Sequence, residues 1–364
     1  MAKRLLIAAG GTGGHMFPAR AAADALIARG WEVQLVTDAR GARHAKDFPG
    51  RPVQTIEASS PFVKNPIKLP GALIKLGKGL SQARALVAEF KPDAVAGFGG
   101  YPAFPALAAA RLSNVPFVIH EQNAVLGRVN RLFARGAAAV ASGFERLDRA
   151  SPRALHIVTG NPVRGPILEA CREPYRAPAP DGEIRLLVLG GSLGARILSD
   201  TVPEAVSRLP DELRARLKIT QQARQEDLER VQAVYDAANV EAVLSPFFED
   251  MGQLYADAHL VISRAGASSV SEVAAAGRPA IFVPLGIAMD DHQSANAHSL
   301  MREGAAESVP ERDFTPGRLC EHLARLLSDG EALAKRAEAA RRLGKPDAHE
   351  RLADLIERIS EPEA

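Results

Sequence analysis

The sequence predicts an α/β protein made of two domains, each built around a doubly wound parallel sheet. Short apolar strands alternate with helical segments along both halves of the chain, which is typical of parallel sheets covered by helices. Each half also begins with an apolar strand that leads into a glycine-rich turn, over residues 5–14 and 186–194. Such turns hold phosphate, because glycine lets a ligand approach the backbone and free N–H groups at the helix start point towards it. Two turns of this kind suggest two similar domains that face one cleft.

In the first half, apolar runs separated by turn residues define the expected elements in order. The strands are expected at residues 4–9, 33–37, 53–56, 94–98, 117–120, 138–141 and 156–158. The helices are expected at residues 17–29, 69–90, 103–112 and 126–135. A stretch rich in proline and charge at residues 162–183 then interrupts the alternation, and it predicts a linker between domains.

The alternation of strands and helices resumes in the second half. Strands are expected at residues 185–189, 217–220, 242–244, 260–263 and 280–283. Helices are expected at residues 196–208, 225–237, 251–255, 269–276 and 293–303, followed by two or three more between residues 316 and 359. We therefore expect a first domain at residues 1–163 and a second at residues 164–345. The C-terminal helix, near residues 346–364, is expected to pack back onto the first domain.

The composition is that of an ordinary soluble globular protein, with 46% hydrophobic and 24% charged residues. A formal net charge of +2 gives no indication of nucleic-acid binding. Cys171 and Cys320 lie far apart, show no metal-ligand spacing and predict a reduced, cytosolic setting. The histidines form no metal-ligand cluster, so we expect no bound metal. No apolar run reaches the roughly 20 residues that span a bilayer.

The first glycine turn, residues 10–15, ends in His15, whose ring can face whatever the turn holds. A neutral imidazole at this position can act as a general base, and the alternative is a histidine that caps the helix. The turn and Asp38 also half match the dinucleotide fingerprint, in which an acidic residue follows the glycines by about 20 residues. Met16 stands where that fingerprint has its third glycine, so the match is incomplete.

The second half offers two further candidates for a nucleotide site. In the second turn, Ser192 can bind a phosphate oxygen, although the turn can also need its glycines only for their backbone angles. Glu272 lies about one turn into a predicted helix, after small residues that let a ligand approach the backbone. Its carboxylate can accept both hydroxyls of a ribose, and the alternative is a capping-box glutamate.

Two polar segments follow strands. Residues 120–123 (HEQN) lie at the carboxyl end of a predicted strand, where ligands bind in open α/β sheets. Residues 290–296 place His292, Gln293 and Asn296 where they can share one face of a helix. The alternative for this second segment is a solvated helix start capped by one of its two aspartates, Asp290 or Asp291.

Seven motifs together resemble the MurG family, the peptidoglycan N-acetylglucosaminyltransferases, over nearly the whole chain. They occur in the order of the family, at residues 10–18 (GGTGGHMFP), 97–101 (GFGGY), 120–123 (HEQN), 160–164 (GNPVR), 190–196 (GGSLGAR), 264–272 and 291–297 (DHQSANA). The resemblance implies a GT-B architecture of two Rossmann-like domains and no cofactor. It implies transfer of N-acetylglucosamine (GlcNAc) from UDP-GlcNAc to the polyprenyl-linked lipid I, which gives lipid II with inversion at the anomeric carbon.

The resemblance also implies roles for individual residues. For the donor, Ser192 and Arg164 are expected at the diphosphate and Glu272 at the ribose. Further donor contacts are expected from Phe248, Ala267, Ser268, Ser269, Val270, Ser271, His292 and Gln293, and from Thr12, Gly13, Gly14 and Asn123 in the first domain. His15 is the candidate catalytic base, and His120 and Glu121 are candidates for acceptor contact or for orienting the base. Residues 102–105 (PAFP) depart from the family pattern, which leaves the acceptor pocket less defined.

A basic amphipathic stretch, residues 61–84, contains no acidic residue and predicts contact with an anionic membrane. The residues expected to make this contact are Phe62, Lys64, Lys68, Leu69, Leu73, Lys75, Leu76 and Lys78. The alternative is an ordinary exposed helix whose leucines face the core. With the resemblance, this places the protein at the cytoplasmic face of the bacterial inner membrane, where other cell-wall synthesis proteins are possible partners.

The sequence alone is also compatible with other functions. A different GT-B protein, such as an epimerase or a glycosyltransferase for another acceptor, would share the sugar-nucleotide motifs. An NAD-dependent oxidoreductase is suggested by the first turn and Asp38, but the incomplete fingerprint and the second glycine turn argue against it. A third possibility is a sensor that binds a sugar nucleotide without turnover.

Overall fold

The computed structural model describes residues 2–11, 13–60, 62, 69–170, 172–191, 194–286 and 291–361, except for the side chain of His44. The chain divides into two compact units. The N-terminal unit comprises Met1–Val163 and Asp347–Ala364, and the C-terminal unit comprises Arg164–Pro346. Each unit is built around a parallel sheet.

The sheet of the N-terminal unit has the strand order β3-β2-β1-β4-β5-β6-β7. Its strands are β1 (Arg4–Ala8), β2 (Glu32–Thr37), β3 (Arg51–Thr55), β4 (Ala94–Gly97), β5 (Phe117–Glu121), β6 (Ala139–Ser142) and β7 (His156–Val158). Its α-helices are α1 (Gly13–Ala28), α2 (Leu69–Phe90), α3 (Ala103–Leu112), α4 (Arg128–Phe133) and, from the end of the chain, α14 (Ala348–Ile359).

The sheet of the C-terminal unit has the order β10-β9-β8-β11-β12-β13. Its strands are β8 (Ile184–Leu189), β9 (Leu217–Gln222), β10 (Glu241–Ser245), β11 (Leu260–Ser263), β12 (Ala280–Phe282) and β13 (Ala306–Ser308). Its α-helices are α5 (Gly165–Ala170), α6 (Arg196–Ser207), α7 (Asp211–Arg214), α8 (Leu228–Ala237), α9 (Met251–Asp257), α10 (Ala267–Ala276), α11 (His292–Arg302), α12 (Pro316–Leu327) and α13 (Gly330–Leu343).

The central strand β1 shows why the N-terminal sheet needs helices on both faces. The residues that follow Arg4 in this strand are fully buried and point alternately to opposite sides of the sheet. Leu5 and Ile7 belong to the apolar cluster that includes residues of α1 and α14, whereas Leu6 and Ala8 belong to the cluster with residues of α2 and α3. An apolar run without polar alternation is therefore what this strand requires.

The predicted fold class, two Rossmann-like parallel sheets in one chain, is confirmed. Several bounds coincide with the prediction, including those of α2 and α3. Other details differ, as three examples show. The predicted linker at residues 162–183 contains helix α5, helix α1 begins at Gly13 rather than at residue 17, and strand β13 was not predicted. The sequence of β13, Ala-Glu-Ser, has no apolar run, and only pairing with β12 makes it a strand.

Both sheets place a glycine turn at the same topological position. In the N-terminal unit β1 lies between β2 and β4, and in the C-terminal unit β8 lies between β9 and β11. The strand order reverses direction at these points, so the connections leave on opposite faces and open a crevice at the carboxyl ends of the strands. The turns after β1 and β8 lie at these two crevices.

Helix α14 is attached to the turn between α1 and β2 by a cluster of charged side chains. The Arg29 guanidinium forms ion pairs with Glu350, Asp354 and Glu357 of α14, the last two at 2.7 Å. The indole Nε1 of Trp31 donates to Glu357 Oε1 at 3.1 Å. The apolar face of α14 packs on α1 beside these contacts. Residues that are distant in sequence thus complete one face of the first sheet.

We expect Arg29→Met to lower the free energy of unfolding of the N-terminal unit by about 1–2 kcal/mol, since three carboxylates lose one shared partner. The partners are partly exposed, and solvent screening keeps the effect in this range. Urea unfolding followed by the fluorescence of Trp31, the single tryptophan of the chain, measures it. The control Arg20→Met, on the exposed 3.9 Å pair with Asp24, should change stability by less than about 0.5 kcal/mol. Equal effects of the two substitutions would contradict the proposed attachment.

Candidate functional site

The glycine turn after β1 contacts the loop after β4 backbone to backbone. A Cβ on Gly10 would lie 2.8 Å from Pro102 Cδ and 3.0 Å from Gly100 Cα. Gly100 itself has a φ of +79°, which disfavours residues with side chains. Pro102 belongs to the segment in which this sequence departs from the family pattern, and it packs against the turn. The glycines of these two motifs are therefore required by their mutual contact.

His15 lies in the first turn of α1, with a half-buried ring next to the loop after β4. Its Nδ1 lies 3.1 Å from the carbonyl oxygen of Gly10, and a Cβ on Gly99 would be 3.2 Å from its Nε2. Since a carbonyl can only accept, Nδ1 carries the proton and the lone pair lies on Nε2. Burial lowers the pKa of His15, while the charge of Glu121 and the bond to Gly10 oppose that effect. At neutral pH the ring is thus an uncharged base, and its bond to a carbonyl is not that of a helix cap.

Glu121 organises the loop after β5 with both oxygens of its buried carboxylate. Oε1 accepts from the backbone N–H of Asn123 at 3.0 Å and from its side-chain amide at 3.2 Å. Oε2 accepts from the Gly127 N–H and from Asn130 Nδ2, both at 2.8 Å. Sequence reasoning missed Asn130, because it lies in α4, outside the motif. Glu121 therefore fixes the position of Asn123 and acts on His15 through its charge.

His120, expected to contact the acceptor or to orient the base, has a fully buried side chain in this structure. Its exposed fraction is 0%. Its Nε2 lies 3.1 Å from the Gly160 carbonyl oxygen, and Gln122 Nε2 lies 3.0 Å from its Nδ1. Burial lowers its pKa to about 4. His120 is thus a neutral residue that joins the loop after β5 to the segment after β7.

Asp38 has a structural function that the dinucleotide reading did not anticipate. Its Oδ1 accepts from the Gly41 N–H at 2.8 Å, and its Oδ2 pairs with Arg40. The carboxylate is buried and stabilises the turn that follows β2. This arrangement accounts for the residue without a nicotinamide cofactor.

The second glycine turn has the same close backbone packing as the first. A Cβ on Gly190 would lie 2.5 Å from Ala195 N, and the Gly190 N–H donates to Gln222 Oε1 of β9 at 3.1 Å. Gly191 and Gly194 have positive φ values of 80° and 68°. The expected phosphate ligand Ser192 lies outside the described residues, as does Thr12 of the first turn.

Glu272 is buried in the C-terminal unit and is held by two side chains. Arg164 Nε donates to Oε1 at 3.0 Å, and the Tyr255 hydroxyl donates to Oε2 at 3.2 Å. Burial raises the pKa of Glu272, and both partners oppose this effect. The capping-box alternative does not fit, because α10 begins at Ala267 and Glu272 is its sixth residue, beyond the third position that a capping box uses. Arg164, expected at the diphosphate, pairs in this structure with the expected ribose ligand.

The residues at the start of α10 divide between the core and the surface. Ala267 and Val270 are buried, and the Val270 N–H donates to the Gly266 carbonyl within the helix. Val270, expected to line the nucleotide pocket, has its side chain in the interior because of its position on the helix. The half-buried members of the segment are Ser268, Ser269 and Ser271.

The backbone of residues 285 and 286, which follow β12, is held by two side chains. Gln293 Oε1 accepts from the Leu285 N–H at 2.9 Å, and Glu311 Oε2 accepts from the Gly286 N–H at 3.1 Å. Glu311 also pairs with Arg264 at 3.1 Å. Sequence reasoning gave neither Arg264 nor Glu311 a function, because their contacts join three loops that are distant in sequence.

Helix α11 begins at His292, and the three polar residues expected on one of its faces differ in burial. Asn296 is fully buried and donates to the Ala265 carbonyl at 3.1 Å. The Asp291 side chain does not cap the helix, and Asp290 lies outside the described residues.

The segment after β10 contains Phe248, which was expected beside the uracil. Phe248 is half-buried, whereas the neighbouring Phe247 is 70% exposed.

The predicted membrane segment presents apolar side chains to solvent on the N-terminal unit. Leu73 and Ile74 of α2 are 57% and 62% exposed, and Phe62 and Leu69 are also exposed. Lys75 and Lys78 are exposed on the same helix. Leu76 is buried, contrary to expectation, because it lies on the inner face of α2.

The other two expected members of the membrane segment, Lys64 and Lys68, are outside the described residues. The guanidinium of Arg128 lies 5.9 Å from the centre of the Phe62 ring.

Within the described ranges, no helix combines the length and the apolar character needed to cross a membrane. Those ranges also contain no group of three or more His, Cys, Asp or Glu residues that could hold a metal ion.

The charge of Glu121 is expected to support the basicity of His15. Glu121→Gln should lower the pKa of His15 below its wild-type value, since removing a nearby negative charge disfavours the imidazolium. An NMR titration of the His15 ring measures the change. Glu89→Gln, which removes an exposed carboxylate at the end of α2, is the control and should leave that pKa unchanged. An unaltered His15 titration in Glu121→Gln would refute the electrostatic link.

Comparison with known proteins covers both units. Residues 5–142 match the glycosyltransferase family 28 N-terminal domain, and residues 185–352 match its C-terminal domain. A protein of Maricaulis maris is 59% identical over 357 residues, covering 98% of this chain and 97% of the relative. A protein of Mesorhizobium japonicum is 48% identical over 98% of this chain and 95% of its own length. Each is named "UDP-N-acetylglucosamine--N-acetylmuramyl-(pentapeptide) pyrophosphoryl-undecaprenol N-acetylglucosamine transferase".

Solved structures of similar proteins also cover both units. The crystal structure of Acinetobacter baumannii MurG superposes with a TM-score of 0.81 at 36% identity, covering 98% of this chain and 99% of that one. A UDP-GlcNAc 2-epimerase from Neisseria meningitidis, bound to UDP-GlcNAc, has a TM-score of 0.67 at 14% identity over 98% of this chain and 100% of its own. That second likeness concerns the fold alone. The chain therefore belongs to the MurG family of glycosyltransferases, within glycosyltransferase family 28.

Proposed function

We propose that the protein transfers GlcNAc from UDP-GlcNAc to lipid I, the undecaprenyl-diphospho-N-acetylmuramoyl-pentapeptide, giving lipid II and UDP. The observation that carries this proposal is the 59% identity, across nearly the full length of both chains, with the Maricaulis maris transferase of that name. The two glycine turns support it, because each opens a crevice suited to a phosphate-bearing ligand.

The C-terminal unit is the proposed donor site. Glu272 would accept the ribose hydroxyls, Phe248 would lie beside the uracil, and Gln293 would contact the sugar, with His292 as a further contact. The diphosphate would bind main-chain amides of the second glycine turn, Ser192 and the terminal nitrogens of Arg164. This assignment is supported by the location of Glu272, Arg164 and the turn in one unit, and by the ion pair that already joins Arg164 to Glu272.

The N-terminal unit is the proposed acceptor site, with His15 as the general base. Nε2 of His15 would take the proton of the acceptor hydroxyl while that oxygen attacks the anomeric carbon and UDP leaves. Attack on the face opposite the leaving group would invert the anomeric configuration. The neutral state of His15 supports this role, because a base must be unprotonated before it reacts. Glu121 and His120 would act as positioning residues, and Thr12, Gly13, Gly14 and Asn123 would close over the donor sugar.

A membrane surface is the proposed location of the reaction, at the cytoplasmic face of the inner membrane. The acceptor carries a polyprenyl chain, so the enzyme must reach the bilayer in which that chain is anchored. The exposed apolar residues of α2 and the exposed Lys75 and Lys78 support contact with anionic lipid. Other cell-wall synthesis proteins are further proposed partners.

The direct test of the proposed function uses the purified protein, UDP-GlcNAc and a soluble lipid I analogue. We expect UDP release that depends on the acceptor, with a disaccharide product identified by mass spectrometry and its anomeric configuration by NMR. A reaction without acceptor is the control, and it should release no UDP and form no epimerised sugar nucleotide. Acceptor-independent turnover, or none with either mixture, would refute the proposal.

The role of His15 predicts a specific kinetic result. His15→Ala should lower the transfer rate by about 10²–10⁴-fold, the range for loss of a general base, and leave the affinity for UDP-GlcNAc nearly unchanged. Stopped assays for rate and calorimetry for binding separate the two effects. His298→Ala, in α11 of the other unit, is a control for loss of a histidine and should retain activity. Turnover of His15→Ala close to wild type would exclude His15 as the base.

Membrane contact is tested by charge reversal on α2. Lys75→Glu with Lys78→Glu should weaken binding to vesicles containing phosphatidylglycerol by about 30-fold or more, because each basic residue contributes about 1 kcal/mol near such a surface. Sedimentation with vesicles at moderate salt measures it. Lys335→Glu with Lys345→Glu in the C-terminal unit makes the same change in net charge and should have little effect. Equal weakening by both pairs would indicate attraction by net charge alone.

A further inference from the structure

The carboxylate of Glu272 has two neighbours that use half of its hydrogen-bonding capacity. An ionised carboxylate offers about four acceptor positions, two on each oxygen. Arg164 occupies one position on Oε1 and the Tyr255 hydroxyl one on Oε2. Among the described residues, these are the side chains that donate to it. One position therefore remains on each oxygen, which is the number that the two adjacent hydroxyls of a ribose require.

Tyr255 is held in place from the other side by a buried arginine. The aromatic ring lies in the interior with an exposed fraction of 0%. Arg278 Nε donates to the Tyr255 carbonyl at 2.6 Å, and its Nη2 donates to the Ala256 carbonyl at 2.8 Å. These bonds fix the last turn of α9. The hydroxyl of Tyr255 is thus directed at Glu272 before any ligand binds.

The hydroxyl also acts on the charge of the carboxylate. A protonated carboxyl would donate at one oxygen and could not accept from two hydroxyls in the same way. Burial favours that protonated form and raises the pKa of Glu272, whereas Arg164 and Tyr255 stabilise the ionised form. In the part of the chain that the structure describes, these two are the charged or titratable groups that act on the carboxylate, from the segment before α5 and from α9.

We propose that Tyr255 is a positioning residue for the donor: its hydroxyl fixes Glu272 Oε2 so that the carboxylate accepts both ribose hydroxyls of a uridine nucleotide. The inference rests on the proposed function, since it assumes that Glu272 contacts the ribose. It adds a residue that lies outside the glycine-rich and polar motifs and that does not itself touch the ligand.

The test compares nucleotides that differ in one ribose hydroxyl. Calorimetry measures the affinities of wild-type protein and Tyr255→Phe for UDP and for 2′-deoxy-UDP. We expect Tyr255→Phe to bind UDP about 5–20-fold more weakly, somewhat less than the loss of a direct bond to a charged group. Its affinity for 2′-deoxy-UDP should change much less, so that the preference for the ribose form shrinks.

The pH dependence gives a second readout that a merely structural role would not move. Affinity for UDP-GlcNAc should be present above the pKa of Glu272 and be lost as pH falls through it. Removing the Tyr255 hydroxyl takes away a donor to the ionised form, so the loss should begin at higher pH in Tyr255→Phe. The phosphates of the ligand act on both proteins alike and do not create this difference.

Tyr175→Phe is the matched control in the same unit. It removes a partly buried hydroxyl that donates to the His259 carbonyl at 3.0 Å, and the ring still packs against Arg278. This variant should keep the wild-type preference for ribose and the wild-type pH midpoint. If Tyr255→Phe does not fold, Tyr255→Met supplies a buried apolar side chain without the hydroxyl and makes the same prediction.

The outcomes separate the two proposals. If wild-type protein binds neither UDP nor UDP-GlcNAc, the proposed function fails. If wild-type protein prefers UDP to 2′-deoxy-UDP and the Tyr255 variant keeps both that preference and the pH midpoint, the inference about Tyr255 is overturned and the function stands. A reduced preference together with a raised midpoint supports the inference.

Discussion

The contact between Gly10 and Gly100 is the constraint on which the N-terminal site depends. No side chain fits between these two backbones, because a Cβ on either residue would lie within 3.0 Å of the other. The contact brings the turn after β1 against the loop after β4, and the ring of His15 then lies next to Gly99. The second unit has its counterpart at Gly190, whose N–H is held by β9. Glycine is needed in both turns because backbone approaches backbone there, from another loop at Gly10 and within the same turn at Gly190, whether or not a phosphate is bound.

Around these turns, buried polar groups hold loops that lie far apart in sequence. Glu121 binds the start of α4, and His120 joins its loop to the segment after β7. In the other unit, Glu272 connects α10 with Arg164 and Tyr255. Each of these groups is satisfied by several donors or acceptors, which a buried polar side chain requires. The sites are therefore organised before a ligand binds, and the cost of ordering the side chains is met during folding.

Much of the fold could be predicted because its signals are local. The apolar runs of β1 and β8, the glycine turns after them and the long pattern of α2 each predict one element from adjacent residues. The features that were not predicted have a common cause. Strand β13 depends on its neighbour β12, helix α5 lies in a proline-rich segment, and Leu76 turned out to face inward on an otherwise exposed part of α2. Tertiary packing decides such cases, because weak local preferences are easily outweighed.

The sequence by itself determined the fold class, the positions of the two glycine turns and, through its motifs, the family. These features depend on the order of residue types along the chain, which the sequence contains in full. Only the tertiary structure decided that His120 is buried, that Asp38 supports its own turn, and that Glu272 is paired with Arg164 and Tyr255. The partners in these contacts are up to 108 residues apart. Hydrogen-bond geometry and burial at that separation arise from packing, and no local pattern encodes them.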